Sequence, residues 1–219
     1  MLQRVISFEG IDGSGKSTYH KRLVEILKSK DYDVYVPRYE EWEKDTKVNV
    51  KELSDDVAFF YHLAGTLREE WHLVQKEWQH HDFTVLDRGL DTNIVYSHLF
   101  KELDRPRSFY DAVNETFYRY SRVPDLTFWV STPVDIALQR IHKTRESAEF
   151  YETENYLTQL NDLFSHAAAG TLSPYNEVAL STIGQLSESR WQIISGTISY
   201  EEADIQMEKS LHDMLSMWK

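Results

Sequence analysis

The residues with the clearest chemical pattern lie near the start of the chain. Residues 10–17 read G-I-D-G-S-G-K-S, which fits the pattern G-x-x-x-x-G-K-[ST] at every position. Glycines in such a loop let backbone N–H groups turn towards phosphate oxygens, and the positive end of the following helix points at the same place. The pattern predicts an ATP-phosphate site formed by Gly10, Asp12, Gly13, Ser14, Gly15, Lys16, Ser17 and Thr18.

Two residues of this loop have separate expected roles. The Lys16 ammonium is expected to bridge the β- and γ-phosphates, and the Ser17 hydroxyl to ligate Mg²⁺. The loop alone is compatible with GTPases, motor ATPases and small-molecule kinases. No N-K-x-D sequence occurs in the chain, so the usual guanine-reading element of a GTPase is missing.

Apolar runs and helical periods alternate along the chain. Short runs at 5–8, 32–36, 84–86, 126–130 and 191–194 predict five strands. Helical spacing predicts helices between them, one with an apolar stripe of Ala64, Leu67, Trp71, Val74 and Trp78 and a later one over 156–167. This order predicts an α/β fold with a five-stranded, mostly parallel sheet and helices on both faces.

The predicted sheet brings the candidate functional residues to one edge. Ligands bind at the carboxyl ends of parallel strands in such folds. We therefore expect Gly10, Pro37-Arg38, Asp87-Arg88 and Ser131-Thr132 along the same edge.

Composition limits the remaining classes. The chain has 219 residues, no cysteine and a formal net charge of −12, which predicts one domain spanning residues 1–219. The lack of cysteine excludes a disulfide scaffold and a thiol nucleophile, and it is compatible with the cytoplasm. The acidic balance argues against nucleic acid or an anionic membrane as the main partner. No apolar run approaches the length of a membrane helix.

Residues 8–18, F-E-G-I-D-G-S-G-K-S-T, resemble the opening of thymidylate kinases. The similarity continues at Asp87-Arg88 with Thr92, Asn93 and Tyr96, at 124–128, at 133–140 and at 190–194. It covers most of the chain apart from 169–189, and it implies the three-layer P-loop kinase fold with a small lid near residues 141–153. The implied activity is transfer of a phosphoryl group from Mg·ATP to a deoxynucleoside monophosphate, with dTMP as the best single expectation. Proteins of this family are commonly homodimers.

The resemblance also implies roles for residues outside the loop. Asp12 would face the acceptor sugar, Asp87 would hold Mg²⁺ through water, and Arg88 would clamp the acceptor phosphate. The further acceptor contacts implied are Arg38, Arg68, Asn93 and Tyr96. Independently of the resemblance, a carboxylate and a guanidinium at a strand end beside a phosphate loop suit phosphoryl transfer.

The segment at the implied lid is basic. Gly13 follows Asp12 at a position where some thymidylate kinases carry an arginine, so this loop lacks a basic finger. The lid must then provide that charge, and the expected catalytic cations are Lys16, Arg88, Arg140 and Arg145.

Departures from the family pattern leave two alternatives. Gly89 replaces an aromatic residue that usually follows the Asp-Arg pair. A deoxynucleoside kinase would need a carboxylate, Glu40 or Glu41, to take a proton from a 5′-hydroxyl, but Arg38 occupies approximately the place of that base. The third hypothesis is an ATP-binding module without turnover, against which Asp12, Arg88 and the lid cations argue.

Overall fold

The computed structural model describes residues 4–37, 53–72, 80–97, 99, 106, 108–109, 112–113, 116, 124–144, 152–168 and 191–216. The strands are β1 (Arg4–Glu9), β2 (Val34–Tyr35), β3 (Phe83–Asp87), β4 (Leu126–Ser131) and β5 (Trp191–Ser195). The helices are α1 (Lys16–Ser29), α2 (Asp55–His72), α3 (Leu90–Ser97), α4 (Val134–Thr144), α5 (Glu154–Ala168) and α6 (Tyr200–Ser216).

Within the described ranges the strands form one five-stranded sheet in the order β2-β3-β1-β4-β5, with every neighbouring pair parallel. Phe8 of β1 lies opposite Asp87 of β3 and opposite Phe128 of β4. The ends of these strands therefore meet at one edge, which brings the loop after β1 beside the residues that follow β3 and β4. The predicted five-stranded parallel sheet is confirmed, and it brings Gly10, Pro37, Asp87-Arg88 and Ser131-Thr132 to one edge, while Arg38 lies outside the described residues.

Side chains alternate along each strand and therefore point to both faces of the sheet, and helices cover both faces. Phe128 and Val130 of β4 pack with Leu23 of α1 and Met207 of α6 on one face. Trp129 points to the other face, where α2, α3, α4 and α5 supply the apolar residues. The three-layer arrangement with helices on both faces is thus confirmed.

The apolar stripe predicted on α2 differs from the structure at Ala64, which is exposed, whereas Phe59 and Leu63 are buried one turn apart. Helical spacing takes no account of side-chain size, and a small Ala tolerates exposure. The side chains of Leu67 and Trp71 and the residues Val74 and Trp78 lie outside the described part of the structure, so the rest of the stripe stays a prediction. The helical period predicted over 156–167 is confirmed in α5, whose buried residues are Leu157, Leu160, Leu163, Phe164 and Ala167.

Helix α6 closes the face that carries α1. Its start is a capping box, in which the Glu202 N–H donates to Ser199 Oγ (3.2 Å) and the Ser199 N–H donates to Glu202 Oε2 (3.0 Å). One side of the helix buries Met207 and Leu211, and the opposite side is charged. None of the helices in the described ranges has the length and apolar character needed to cross a membrane.

Candidate active site

The phosphate loop is packed tightly under α4. Gly13 has φ of +73°, and a Cβ built there would lie 2.3 Å from the carbonyl oxygen of Ala137. That distance is far below contact, and the left-handed backbone also disfavours a side chain. The structure therefore leaves no room for the basic residue that some relatives carry here, which agrees with the sequence-based interpretation that the loop has no basic finger.

The loop is held by its carbonyl oxygens. The Thr132 hydroxyl donates to Ser14 O (2.9 Å), and Arg140 Nη1 donates to the same oxygen (3.0 Å). Arg140 Nη2 donates to Gly196 O (2.7 Å), so this guanidinium joins the loop to the turn after β5. A Cβ at Gly196 would lie 1.8 Å from Thr132 Oγ1, which makes glycine necessary at this contact.

Arg140 was expected to act on the ATP phosphates from the lid. In the structure its guanidinium donates to backbone carbonyls of the loop and of Gly196, and it lines the open cavity next to the phosphate loop. Its catalytic role stays a prediction, and the contacts add a structural role as a tether. Sequence reasoning placed Thr132 on the functional edge but gave no signal for this use of Thr132, Arg140 and Gly196.

Lys16 lies at the start of α1 and is almost fully buried. Its Nζ donates to Ile11 O (2.9 Å) and lies 3.9 Å from Asp12 Oδ1. Burial lowers the pKa of Lys16 to about 8, and the positive charge of Arg88 adds to this effect. A phosphate anion at the loop would favour the charged ammonium, so binding of nucleotide and protonation of Lys16 support each other.

Arg88 is the centre of a hydrogen-bonded cluster. Its Nη2 donates to Asp12 Oδ1, and its Nη1 donates to Tyr96 Oη (3.3 Å). The guanidinium carbon also lies 5.2 Å from the centre of the Tyr96 ring, within the range of a cation–π contact. Asp12, Arg88 and Tyr96, which were predicted to share the acceptor site, are therefore brought together.

The charges in this cluster are well defined. Burial opposes the charge on Arg88, but Tyr96 and the carboxylates of Asp12 and Asp87 outweigh it and raise the pKa of Arg88 above its ordinary value. Burial raises the pKa of Tyr96, so its phenol stays neutral and donates to Asp12 Oδ2 (3.4 Å). Arg88 is thus a permanent cation that lies beside a neutral hydrogen-bond donor, Tyr96.

The residues expected to bind Mg²⁺ lie at the same cavity as Arg88. Ser17 and Asp87 both line the cavity. A hydroxyl and a carboxylate are oxygen ligands of the kind Mg²⁺ uses together with water and substrate phosphates. In the part of the chain that is described, no group of three or more His, Asp or Glu residues could hold a metal ion.

One cavity of about 1240 Å³ joins these groups. Its lining includes Asp12, Lys16, Ser17, Asp87, Arg88 and Arg140. The cavity extends from the phosphate loop to Arg88, so a nucleotide phosphate bound at the loop would lie near the Arg88 guanidinium.

Several predicted residues are not tested by this geometry. Arg38 and Arg145 lie outside the described residues, as do Glu40 and Glu41. Arg68 lies on α2 and Asn93 on α3, and only their backbone positions are described. Their acceptor and lid roles stay predictions.

Sequence reasoning missed Glu9. This residue ends β1 and is fully buried. Its Oε1 accepts the Gly89 N–H (2.8 Å), and its Oε2 accepts the Thr92 hydroxyl. Burial raises the pKa of Glu9 to about 8, and the charge of Asp91 raises it further. The available signal was a carboxylate at the end of an apolar run directly before the loop.

Comparison with known proteins decides the family. The sequence model of the family "Thymidylate kinase" matches residues 8–189. A probable thymidylate kinase of Methanospirillum hungatei is 30% identical over 167 residues, which cover 73% of this chain and 78% of that protein. The chain belongs to the thymidylate kinase family.

Other relatives agree with this membership. A probable thymidylate kinase of Sulfurisphaera tokodaii is 27% identical over 200 residues, covering 90% of this chain and 98% of that protein. A thymidylate kinase of Akkermansia muciniphila is 28% identical over 183 residues, covering 76% and 80%. The resemblance in residues 8–18 and at Asp87-Arg88 is confirmed, and so is the predicted enzyme class, a phosphotransferase of the nucleoside monophosphate kinase type.

Proposed function

We propose that this kinase transfers the γ-phosphoryl group of Mg·ATP to dTMP, giving dTDP and ADP. The observation that carries the proposal is the Arg88 guanidinium, held by Asp12 and Tyr96 at the end of β3 and beside the phosphate loop. A planar cation in this position can bind an acceptor phosphate through two parallel hydrogen bonds. Membership of the thymidylate kinase family supports dTMP as that acceptor.

The donor side follows from the loop. Its N–H groups and the positive end of α1 bind the ATP phosphates, and Lys16 neutralises the β- and γ-phosphates. Ser17 and Asp87 would hold Mg²⁺, and the metal would neutralise charge on the transferring group. Arg145 and Arg140 would act from the lid, which begins near the end of α4.

The acceptor side needs positioning and no general base. A monophosphate oxygen is already ionised, so it attacks without losing a proton to the protein. Arg88 fixes this phosphate, Asp12 faces the sugar, and the remaining acceptor contacts are Arg38, Arg68, Asn93 and Tyr96. Holding the two reactants in line is the main source of rate in such reactions.

The two alternatives have less support. A nucleoside acceptor requires a base such as Glu40 or Glu41, whereas the cation at the described edge suits an acceptor that carries phosphate. An ATP-binding module without turnover would have no use for a half-buried guanidinium at the acceptor side of the loop. Both alternatives are also disfavoured by the family to which the chain belongs.

The assembly and location are part of the same proposal. We propose a single-domain, cytoplasmic homodimer that contacts through the exposed apolar side of α2. Val57 is 51% exposed and Phe60 is 43% exposed, and Phe60 lies against the ring of Phe109. Light scattering should give twice the chain mass, and Val57→Glu should give the monomer. A monomeric wild type would contradict this part of the proposal.

The activity is tested by following the label from [γ-³²P]ATP. With Mg²⁺ and dTMP the label should move to dTDP, and Lys16→Met should abolish the transfer. Label in dTMP after incubation with thymidine would indicate the nucleoside kinase. Bound ATP without labelled product for any acceptor would indicate the binding module.

A further inference from the structure

Glu9 bridges two residues that follow Arg88. Its two carboxyl oxygens are bonded to the Gly89 N–H (2.8 Å) and to the Thr92 hydroxyl. The side chain is fully buried and does not line the cavity, so it cannot touch a substrate. Any effect of Glu9 on the reaction must therefore pass through the residues that it binds.

The backbone at Arg88 needs such support. Arg88 has φ of +78°, a left-handed conformation that side chains other than glycine rarely adopt. The Arg88 N–H donates to Phe8 O (3.1 Å), and the next N–H, that of Gly89, donates to Glu9. Two successive N–H groups of the turn are thus bound by two successive residues at the end of β1.

The packing leaves the turn little freedom. A Cβ at Gly89 would lie 3.1 Å from Glu9 Oε1 and 3.5 Å from Ser7 Cβ, so the turn lies directly on the end of β1. Glycine at this position lets the backbone approach the carboxyl group of Glu9. A shift of the turn would break the Glu9 contact and leave a buried N–H unpaired, which is costly.

The second contact extends the effect to Tyr96. Thr92 and Tyr96 are four residues apart on α3 and therefore share one face of that helix. Glu9 thus holds the backbone that carries Arg88 and the helix turn that precedes Tyr96. These are the two side chains that meet Asp12 at the acceptor site.

We infer that Glu9 is a positioning residue, which fixes the turn at residues 88–92 so that Arg88 and Tyr96 are aimed at the acceptor phosphate. This inference rests on the proposed function. It assigns Glu9 to the acceptor half of the reaction, since its described contacts lead to the acceptor cluster. Loss of Glu9 should impair the use of dTMP while the use of ATP is largely preserved.

The test compares Glu9→Met and Glu9→Gln in the full chain by dTMP-dependent ADP release. Methionine keeps the length and volume but removes both oxygens, so kcat/KM for dTMP should fall about tenfold or more, with the KM for ATP within about twofold. Glutamine should restore kcat/KM for dTMP to within about threefold of wild type, because its amide oxygen accepts the Gly89 N–H and its NH₂ donates to Thr92.

A pair of valine variants provides the matched control. Thr92→Val removes the hydroxyl that contacts Glu9, and it carries the test if Glu9→Met does not fold. Thr127→Val removes another buried hydroxyl, which lies 3.0 Å from Ser7 Oγ. Thr92→Val should lower kcat/KM for dTMP several-fold, and Thr127→Val should leave it within about twofold of wild type.

The outcomes separate the inference from the proposed function. An active wild type with unchanged kcat/KM for dTMP in both Glu9→Met and Thr92→Val overturns the inference alone. So does a fall in activity that is matched in both variants by an equal fall in the folded fraction, measured by urea unfolding, because that result reports less folded protein and no loss of positioning. A wild type without dTMP-dependent ADP release overturns the proposed function itself.

Discussion

The buried carboxyl group of Glu9 makes the stability of this protein depend on pH in a predictable direction. Its pKa is raised from 4.5 to about 8, first by burial and then by the nearby charge of Asp91. In the unfolded chain the same group loses its proton near its ordinary value. The folded protein therefore binds the extra proton between these two values.

The direction of the change in stability with pH follows from this difference in bound protons between the folded and the unfolded protein. Stability is greatest below the unfolded pKa of about 4.5 and is lost as the pH rises through the folded pKa of about 8. Between pH 6 and pH 8 the contribution of Glu9 to the free energy of unfolding should fall by about 2 kcal/mol. Glutamine cannot titrate, so Glu9→Gln should lack this loss.

The assay is urea unfolding of wild type and Glu9→Gln at pH 6, 7 and 8 and constant ionic strength. The free energy of unfolding of wild type minus that of the variant should fall by about 2 kcal/mol over this range. Glu25→Gln removes an exposed carboxylate from α1 and controls for the loss of one negative charge. If wild type and Glu9→Gln lose stability in parallel, the Glu9 carboxyl is not held in its protonated form by burial, and the reasoning is refuted.

Three further variants test the site. Lys16→Ala should abolish turnover because it removes the cation at the transferring phosphate; measurable ADP release would contradict that role. Arg88→Ala should lower kcat for dTMP by about 10²-fold or more without unfolding the protein, as judged by thermal melting, and retained activity would remove Arg88 from the mechanism. Gly13→Ala should raise the KM for ATP about tenfold, because its Cβ would lie 2.3 Å from Ala137 O. An unchanged KM for ATP would mean that α4 moves to make room for the Cβ, and would contradict the tight packing of the loop under α4.

Much of the fold could be predicted because its signals are local. A short apolar run followed by the glycine loop predicts β1 and α1, and parallel strands then place the loop beside Asp87 and Arg88. The stripe predicted on α2 differs from the structure at Ala64, because helical spacing takes no account of side-chain size and the larger Phe59 and Leu63 are the buried residues.

The supporting contacts of the site could not be predicted because they join backbone groups distant in sequence. Arg140 binds the carbonyls of Ser14 and Gly196, and no residue pattern reports a bond to a backbone oxygen. The positioning role of Glu9 depends on the left-handed turn at Arg88, and that turn depends on the packing of β1 against β3. The candidate functional residues can thus be predicted from the sequence, whereas the contacts that position them cannot.

The central claim is that the acceptor enters with a phosphate held by Arg88. The most direct measurement is kcat/KM for Mg·ATP-dependent phosphorylation of dTMP and of thymidine, in wild type and in Arg88→Ala. We expect wild type to prefer dTMP by about 10³-fold or more, and Arg88→Ala to lose most of that preference. Equal use of thymidine by wild type, or a preference for dTMP that survives the loss of Arg88, would contradict the account.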